Sequence, residues 1–242
     1  MLFGADALLS DWRIGLIAGY SHSEFDVADR ASSGDSDNYH LGLYGGTEWG
    51  DVAFRSGIAY SWHDLSTSRA VSFSGIDEVL TADYMAGTFQ AFGELGYRVD
   101  TAAASFEPFA NLAYVDVNTD SYAETGGDAA LTGGGESTGT AFTTLGLRAS
   151  SPLRLGTINT TARGAIGWRH AFGDSTPEAT QAFEGSDVFT IAGVPIARDS
   201  AVVDVGLDMN LNDSAMLGFS YSGQIASAAQ DHRLTAELTV NF

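Results

Sequence analysis

Arg233-Leu234-Thr235-Ala236-Glu237-Leu238-Thr239-Val240-Asn241-Phe242 alternates polar and apolar side chains without exception and ends the chain on an aromatic. In an extended strand successive side chains point to opposite faces. This segment therefore carries one greasy and one wet face. Two environments suit it: a half-buried strand of a soluble sheet, or a strand set between lipid and a watery interior. The other strands decide between them.

The same two-residue period recurs through the chain. Leu217, Phe219, Tyr221 and Ile225 form one ladder, and Ala201, Val203, Val205, Leu207, Met209 and Leu211 another. Ile158 to Trp168, Ala141 to Leu147, Phe106 to Tyr114, Met85 to Val99, Val52 to Trp62, Tyr39 to Trp49 and Trp12 to Tyr20 repeat the pattern. Together they predict ten strands, with Met1 to Leu9 as the tail of an eleventh. Tight turns are expected at Leu9-Ser10-Asp11, Trp49-Gly50-Asp51, Val99-Asp100-Thr101, 153–156 and Asn212-Asp213-Ser214. Long loops are expected near 22–37, 64–82, 118–138 and 174–198, and a short one near 226–231. Tight turns on one rim and long loops on the other is the layout of a transmembrane β-barrel.

Three features weigh against a soluble β-sandwich, which also alternates. The strands are long. Their polar face is Gly, Ser, Thr and Asn with a few Arg and Glu, which suits a confined lumen. Their apolar face carries aromatics near strand ends, among them Trp12, Tyr20, Trp49, Trp62, Trp168 and Phe242, as a membrane-interface girdle does.

Composition narrows the function. The formal charge is -20, against the basic footprint that nucleic-acid binding requires. Cysteine is absent, so disulfides and thiolate metal sites are excluded, and only 17% of residues are charged, below the roughly 25% usual for a soluble domain. No apolar run approaches the roughly 18 residues of a membrane helix. Met1 to Leu9 lacks a basic region and is interrupted by Asp6, so it is not read as a signal peptide. Acidic residues such as Asp26, Asp35, Asp77, Asp120, Glu136 and Glu184 concentrate in the expected loops. They read as a solvated rim, and no EF-hand or repeated Asp/Gly calcium motif accompanies them.

Parity places Arg55, Glu94, Arg98, Glu107, Asn111, Arg148, Arg163, Arg169, Asp204, Asp208, Arg233 and Glu237 on the inner face. Charges of both signs within a membrane segment must be paired or hydrated. The same lining would let a polypeptide pass without sticking. His22, His40, His63, His170 and His232 are scattered, and neither HExxH nor GxSxG occurs. No catalytic, cofactor or metal site is therefore assigned, and the chain reads as a non-enzyme.

The stretch Phe106-Glu107-Pro108-Phe109-Ala110-Asn111-Leu112-Ala113-Tyr114-Val115 resembles the EPFA-x-LAYV strand of autotransporter translocator domains. Residues 122–131, 144–148 and 192–199 and the segment Gly167-Trp168-Arg169-His170-Ala171-Phe172-Gly173-Asp174 are similar to the same family, in the same order. The resemblance implies an all-β, antiparallel, up-and-down transmembrane barrel of the twelve-stranded type, integral to the bacterial outer membrane, its long loops extracellular. It implies that residues 1–242 are the translocator domain of a longer polyprotein. A passenger on its N-terminal side would be exported, a linker helix would plug the lumen, and the barrel-assembly machinery would insert the chain. Leu238, Val240 and Phe242 would form the assembly signal, although Glu237 stands where such signals often carry Gly. On this reading the first strand, part of the second, the linker helix, the passenger and the signal peptide lie outside the chain, through truncation or a late start. Some members cut their own linker with acidic lumen residues. Glu94 or Glu107 could take that role, but the chain holds no linker for them. A surface adhesin or structural outer-membrane protein, and a small passive porin, stay open as alternatives.

Overall fold

The computed structural model describes residues 1–27, 31–73, 75–173, 176–227 and 229–240; Asn241 and Phe242, the end of the expected assembly signal, lie outside them, as do Asp29 and Asp174. In chain order the strands are β1 (Leu2–Leu9), β2 (Trp12–Val27), β3 (Ser32–Trp49), β4 (Val52–Phe73), β5 (Ile76–Tyr97), β6 (Val99–Asp100), β7 (Ser105–Thr119) and β8 (Tyr122–Ala123). They continue as β9 (Leu131–Gly133), β10 (Glu136–Leu155), β11 (Ile158–Phe172), β12 (Glu178–Phe183), β13 (Phe189–Ala192), β14 (Asp199–Asn210), β15 (Ala215–Ile225) and β16 (Gln230–Val240).

The principal sheet runs β1-β2-β3-β4-β5-β7-β10-β11-β14-β15-β16, every neighbour antiparallel and next in sequence among the long strands, with β6 as a short addition to β7. This is an up-and-down meander of eleven long strands. Among the described residues β1 and β16 are not paired with each other. The sheet curls, because one cavity is lined from Arg55 on β4 round to Arg233 on β16.

At the turn rim the hairpins close tightly. Ser10 and Gly50 take φ of 57° and 63°, the positive φ that two-residue hairpins require at their first loop position. At the other rim the expectation of long loops needs correction. Strands β2 and β3 stay paired as far as Val27 and Ser32, and β4 and β5 as far as Phe73 and Ile76. Most of 22–37 and 64–82 is therefore hairpin, not loop. The segments 118–138 and 174–198 also contain strands, which build a second sheet in the order β13-β12-β9-β8.

That small sheet is tied to the β4–β5 hairpin. Arg69 donates to both Glu124 carboxylate oxygens, Nε at 3.1 Å and Nη2 at 2.5 Å, and the same carboxylate accepts the Leu131 amide at 2.9 Å. Glu78 accepts the amides of Asp128 and Ala129 at 3.0 and 2.9 Å. Tyr84 stacks on Tyr122 with ring centres 4.9 Å apart, and burial pushes both phenols up from their ordinary pKa.

The principal sheet has its hydrophobicity inside out. Only Ala53, Leu80, Ala82, Leu131 and Ala171 are buried apolar residues among those described. Ile14, Leu16, Leu41, Leu43, Ile58, Leu112, Leu145 and Ile166 stand exposed on one face, Leu112 by 61%. A continuous apolar skin of this extent is not carried into water by a soluble domain. Aromatic pairs border it on both sides. Trp12 meets Trp49 and Phe54 at 6.3 and 6.1 Å near the turns, and Tyr20–Tyr39 and Tyr60–Trp62 lie at 5.5 and 4.7 Å further along the strands. A lipid-facing band between two girdles is the arrangement that membrane barrels use.

A charge placed in the middle of this band is expected to be costly. Leu112→Arg should destabilise the fold by about 2–4 kcal/mol, measured by urea titration in phospholipid vesicles. A cost no larger than that of a surface substitution in water would show that this face does not meet lipid.

Candidate functional site: the charged lumen

Opposite the apolar skin, the inner face encloses a cavity of about 1170 Å³. Of the residues expected there from parity, Arg55, Glu94, Arg98, Glu107, Asn111, Arg148, Arg163, Arg169, Asp204 and Arg233 line it. Asp208 is adjacent through its bond to Arg163. Glu237 is not among the lining residues; on β16 it lies opposite Gly218. Arg98 follows β5 rather than lying within it, and pairs with Asp100 at 3.1 Å. The chain contains no lysine, so all eleven of its basic residues are arginines. Six of them line this cavity.

The centre of the site is a closed quartet. Arg55 and Glu94 are directly opposed on β4 and β5, and Glu107 and Arg148 on β7 and β10. Within those opposed pairs the bonds are single, 3.1 Å for Arg55–Glu94 and 3.0 Å for Arg148–Glu107. The two-pronged bonds run diagonally. Arg55 grips Glu107 at 2.7 and 3.0 Å, reaching past β5, and Arg148 grips Glu94 at 2.7 and 2.8 Å, reaching past β7. The planar guanidinium fork matches a carboxylate in this way, whereas lysine is a point charge. Glu94, only 6% exposed, also receives Asn111 Nδ2 at 3.4 Å.

Phe109 lies under Arg148, whose guanidinium carbon is 3.9 Å from the ring centre. Its place on the polar face is not evident from hydropathy, yet it shares parity with Glu107 and Asn111. Gly146, directly opposite, admits the ring; a Cβ there would come within 2.6 Å of it. Tyr44 lies over Gly15 in the same manner and donates to Asp6 at 2.9 Å. Aromatics facing inward opposite glycine are the functional-face residues that periodicity missed, and the paired glycine is the signal that could have found them.

A second cluster holds Arg163 between Asp208, 3.0 Å from Nε, and Asp204, 3.3 Å from Nη1, with Ser222 donating to Asp204 at 2.7 Å. Chemically the wall bears both signs, and most of its charges are bonded to a partner of opposite sign. No cluster of three or more metal-ligating side chains occurs among the described residues.

The chain matches the family model "Autotransporter beta-domain" over residues 1–222. It is 38% identical over 244 aligned positions to an extracellular serine protease of Serratia marcescens, covering all of this chain but 23% of that protein. Among solved structures it is similar to the translocator domain of the autotransporter NalP from Neisseria meningitidis, with a TM-score of 0.80, 17% identity, and coverage of 100% of this chain and 79% of that one. The β-domain of the Bordetella autotransporter BrkA aligns with a TM-score of 0.65 at 17% identity, over 99% and 87% of the two chains.

Removing one of the quartet's two shared acceptors should leave two guanidiniums underpartnered. Because both arginines are more than a third exposed, Glu94→Ala is expected to cost only about 1–3 kcal/mol, and Glu94→Gln less. Urea unfolding followed by tryptophan fluorescence in vesicles reads both. Equal stability of all three proteins would mean that the quartet contributes nothing.

Proposed function

The chain belongs to the autotransporter β-domain family, and we propose that residues 1–242 act as the outer-membrane translocator of a longer polypeptide, anchoring it and exporting a passenger. The observation that carries this reading is the pairing of an apolar outer skin with a polar inner wall bearing charges of both signs on one curled meander. Such a wall offers a chain in transit hydrogen bonds and charges of both signs, with its aromatic Phe109 covered by the Arg148 guanidinium. The curated relative is four times longer than the matched segment, which leaves length for a passenger.

The relative is called a protease, but what the chain matches is the β-domain model, over 23% of that relative's length. In this proposal any proteolysis would belong to the passenger. The tight turns would face the periplasm and the β4–β5 hairpin with its attached small sheet the exterior. Leu238 and Val240 on β16, together with the terminal aromatic, would be presented to the barrel-assembly machinery. The linker helix would occupy the lumen once export is complete.

The test is export of the full-length gene product in a Gram-negative host. Proteinase K added to intact cells should digest the passenger, and deletion of the segment encoding residues 1–242 should leave the passenger protected in the periplasm. A passenger that reaches the surface without this segment, or a segment recovered in the soluble periplasm, would overturn the reading.

A further inference from the structure

Four of the six cavity-lining arginines, Arg55, Arg98, Arg148 and Arg163, are bonded to carboxylates. Arg169 and Arg233 are not. Arg169 donates from Nη1 to the Gln224 side-chain oxygen at 2.9 Å and from Nε to the Thr144 hydroxyl at 3.3 Å. Its guanidinium carbon stands 5.9 Å from the centre of the Phe142 ring. All three neighbours are neutral. Directly opposite Arg169 in the β11–β14 register is Ser200, 4% exposed, whose Oγ has no hydrogen-bond partner among the described residues. Arg233 on β16, opposite Ser222 on β15, makes no ion pair or side-chain hydrogen bond among the described residues, and Asp231 beside it is bonded to neither arginine.

The chain has 31 Asp and Glu against 11 Arg, yet the cavity lining sets six arginines against four carboxylates, Glu94, Glu107, Asp204 and Asp231, so the wall carries a local excess of positive charge. An arginine held in a confined wall by neutral acceptors, next to an orphaned hydroxyl, presents free N–H groups in fixed positions. A carboxylate satisfies such a fork in two-pronged fashion and accepts from a hydroxyl as well.

We propose that Arg169, with Gln224 and Ser200 beside it and Arg233 two strands beyond β14, forms a carboxylate-binding tract on the lumen wall. Its ligand is the Asp or Glu side chain of a polypeptide lodged in the lumen. The identity of that ligand rests on the translocator reading; the tract itself rests on the unmatched arginines. Arg169 orients the carboxylate through its fork, and Gln224 and Thr144 hold the fork in place. Arg233 adds a second positive position for the same segment.

The test uses the full-length polypeptide purified from outer membranes and reconstituted in planar bilayers. Arg169→Gln/Arg233→Gln is compared with wild type and with the double lysine variant. The wild-type pore is expected to be mostly closed. The glutamine variant should shift the closed-to-open ratio about tenfold toward open, the loss expected for roughly one charge-assisted bond, and the lysine variant, which keeps the charge but loses the fork, should fall between the glutamine variant and wild type. Unchanged heat-modifiable migration of all three on gels establishes that they fold. A glutamine variant as closed as wild type overturns the proposal. Loss of heat-modifiable migration in the glutamine variant alone also overturns it, by making the arginines structural. A wild-type pore that stands open in potassium acetate, with an acetate preference lost in the glutamine variant, assigns the tract to free carboxylates and overturns a polypeptide ligand. Failure of the translocator reading is a separate result, seen as wild-type cells with no passenger at their surface.

Discussion

A peptide group in hydrocarbon finds no water, and each unmet N–H or C=O costs several kcal/mol. The remainder of this structure follows from that constraint. Long antiparallel strands satisfy their backbone against immediate neighbours, so an up-and-down meander with tight hairpins meets the constraint everywhere but, among the described residues, at the outer edges of β1 and β16, and the sheet needs no crossover. Side chains are then divided strictly by parity. Leucine, isoleucine and the aromatic girdles go outward because lipid accepts them, and every charge must go inward, where water and opposite charge are available.

Once confined to the inner wall, the charges must resolve their own balance, and arginine is suited to this. Its length lets Arg55 and Arg148 pass over an intervening strand to a second carboxylate, and its fork lets one residue satisfy two acceptors. The quartet therefore ties together four neighbouring strands that the backbone ladder joins only in pairs. The Phe109 ring beneath Arg148 fills the space that Gly146 leaves and supplies a π-face to the cation.

Strand existence, parity and the tight-turn rim were legible in the sequence because, in the lipid-spanning part, lipid on one side and water on the other impose a period of two. The same logic explains what was not legible. Ser32 to Asn38 holds only Ser, Gly, Asp and Asn, so no apolar alternation marks the strand and a polar hairpin reads as a loop. Strands β8, β9, β12 and β13 are two to six residues long and pair across distant segments, so no local pattern marks them. The inner charged residues could be placed on a face, but which carboxylate each arginine would choose depends on curvature and side-chain reach. In the register Arg55 stands opposite Glu94 and Glu107 opposite Arg148, whereas the two-pronged bonds run on the diagonals.

Those diagonals also make the inner wall a check on strand alignment. Slippage of β5 or β7 by one residue would turn its charges into lipid, an error that the membrane itself rejects. Slippage by two residues restores parity and would escape that test, since every greasy residue would again face outward. The quartet does not tolerate it: a strand displaced by two residues carries its carboxylate roughly 7 Å along the sheet, beyond the reach of both forks at once. Four side chains thus act as a vernier finer than the hydrophobic pattern, separating the correct alignment from the nearest one that lipid alone would accept.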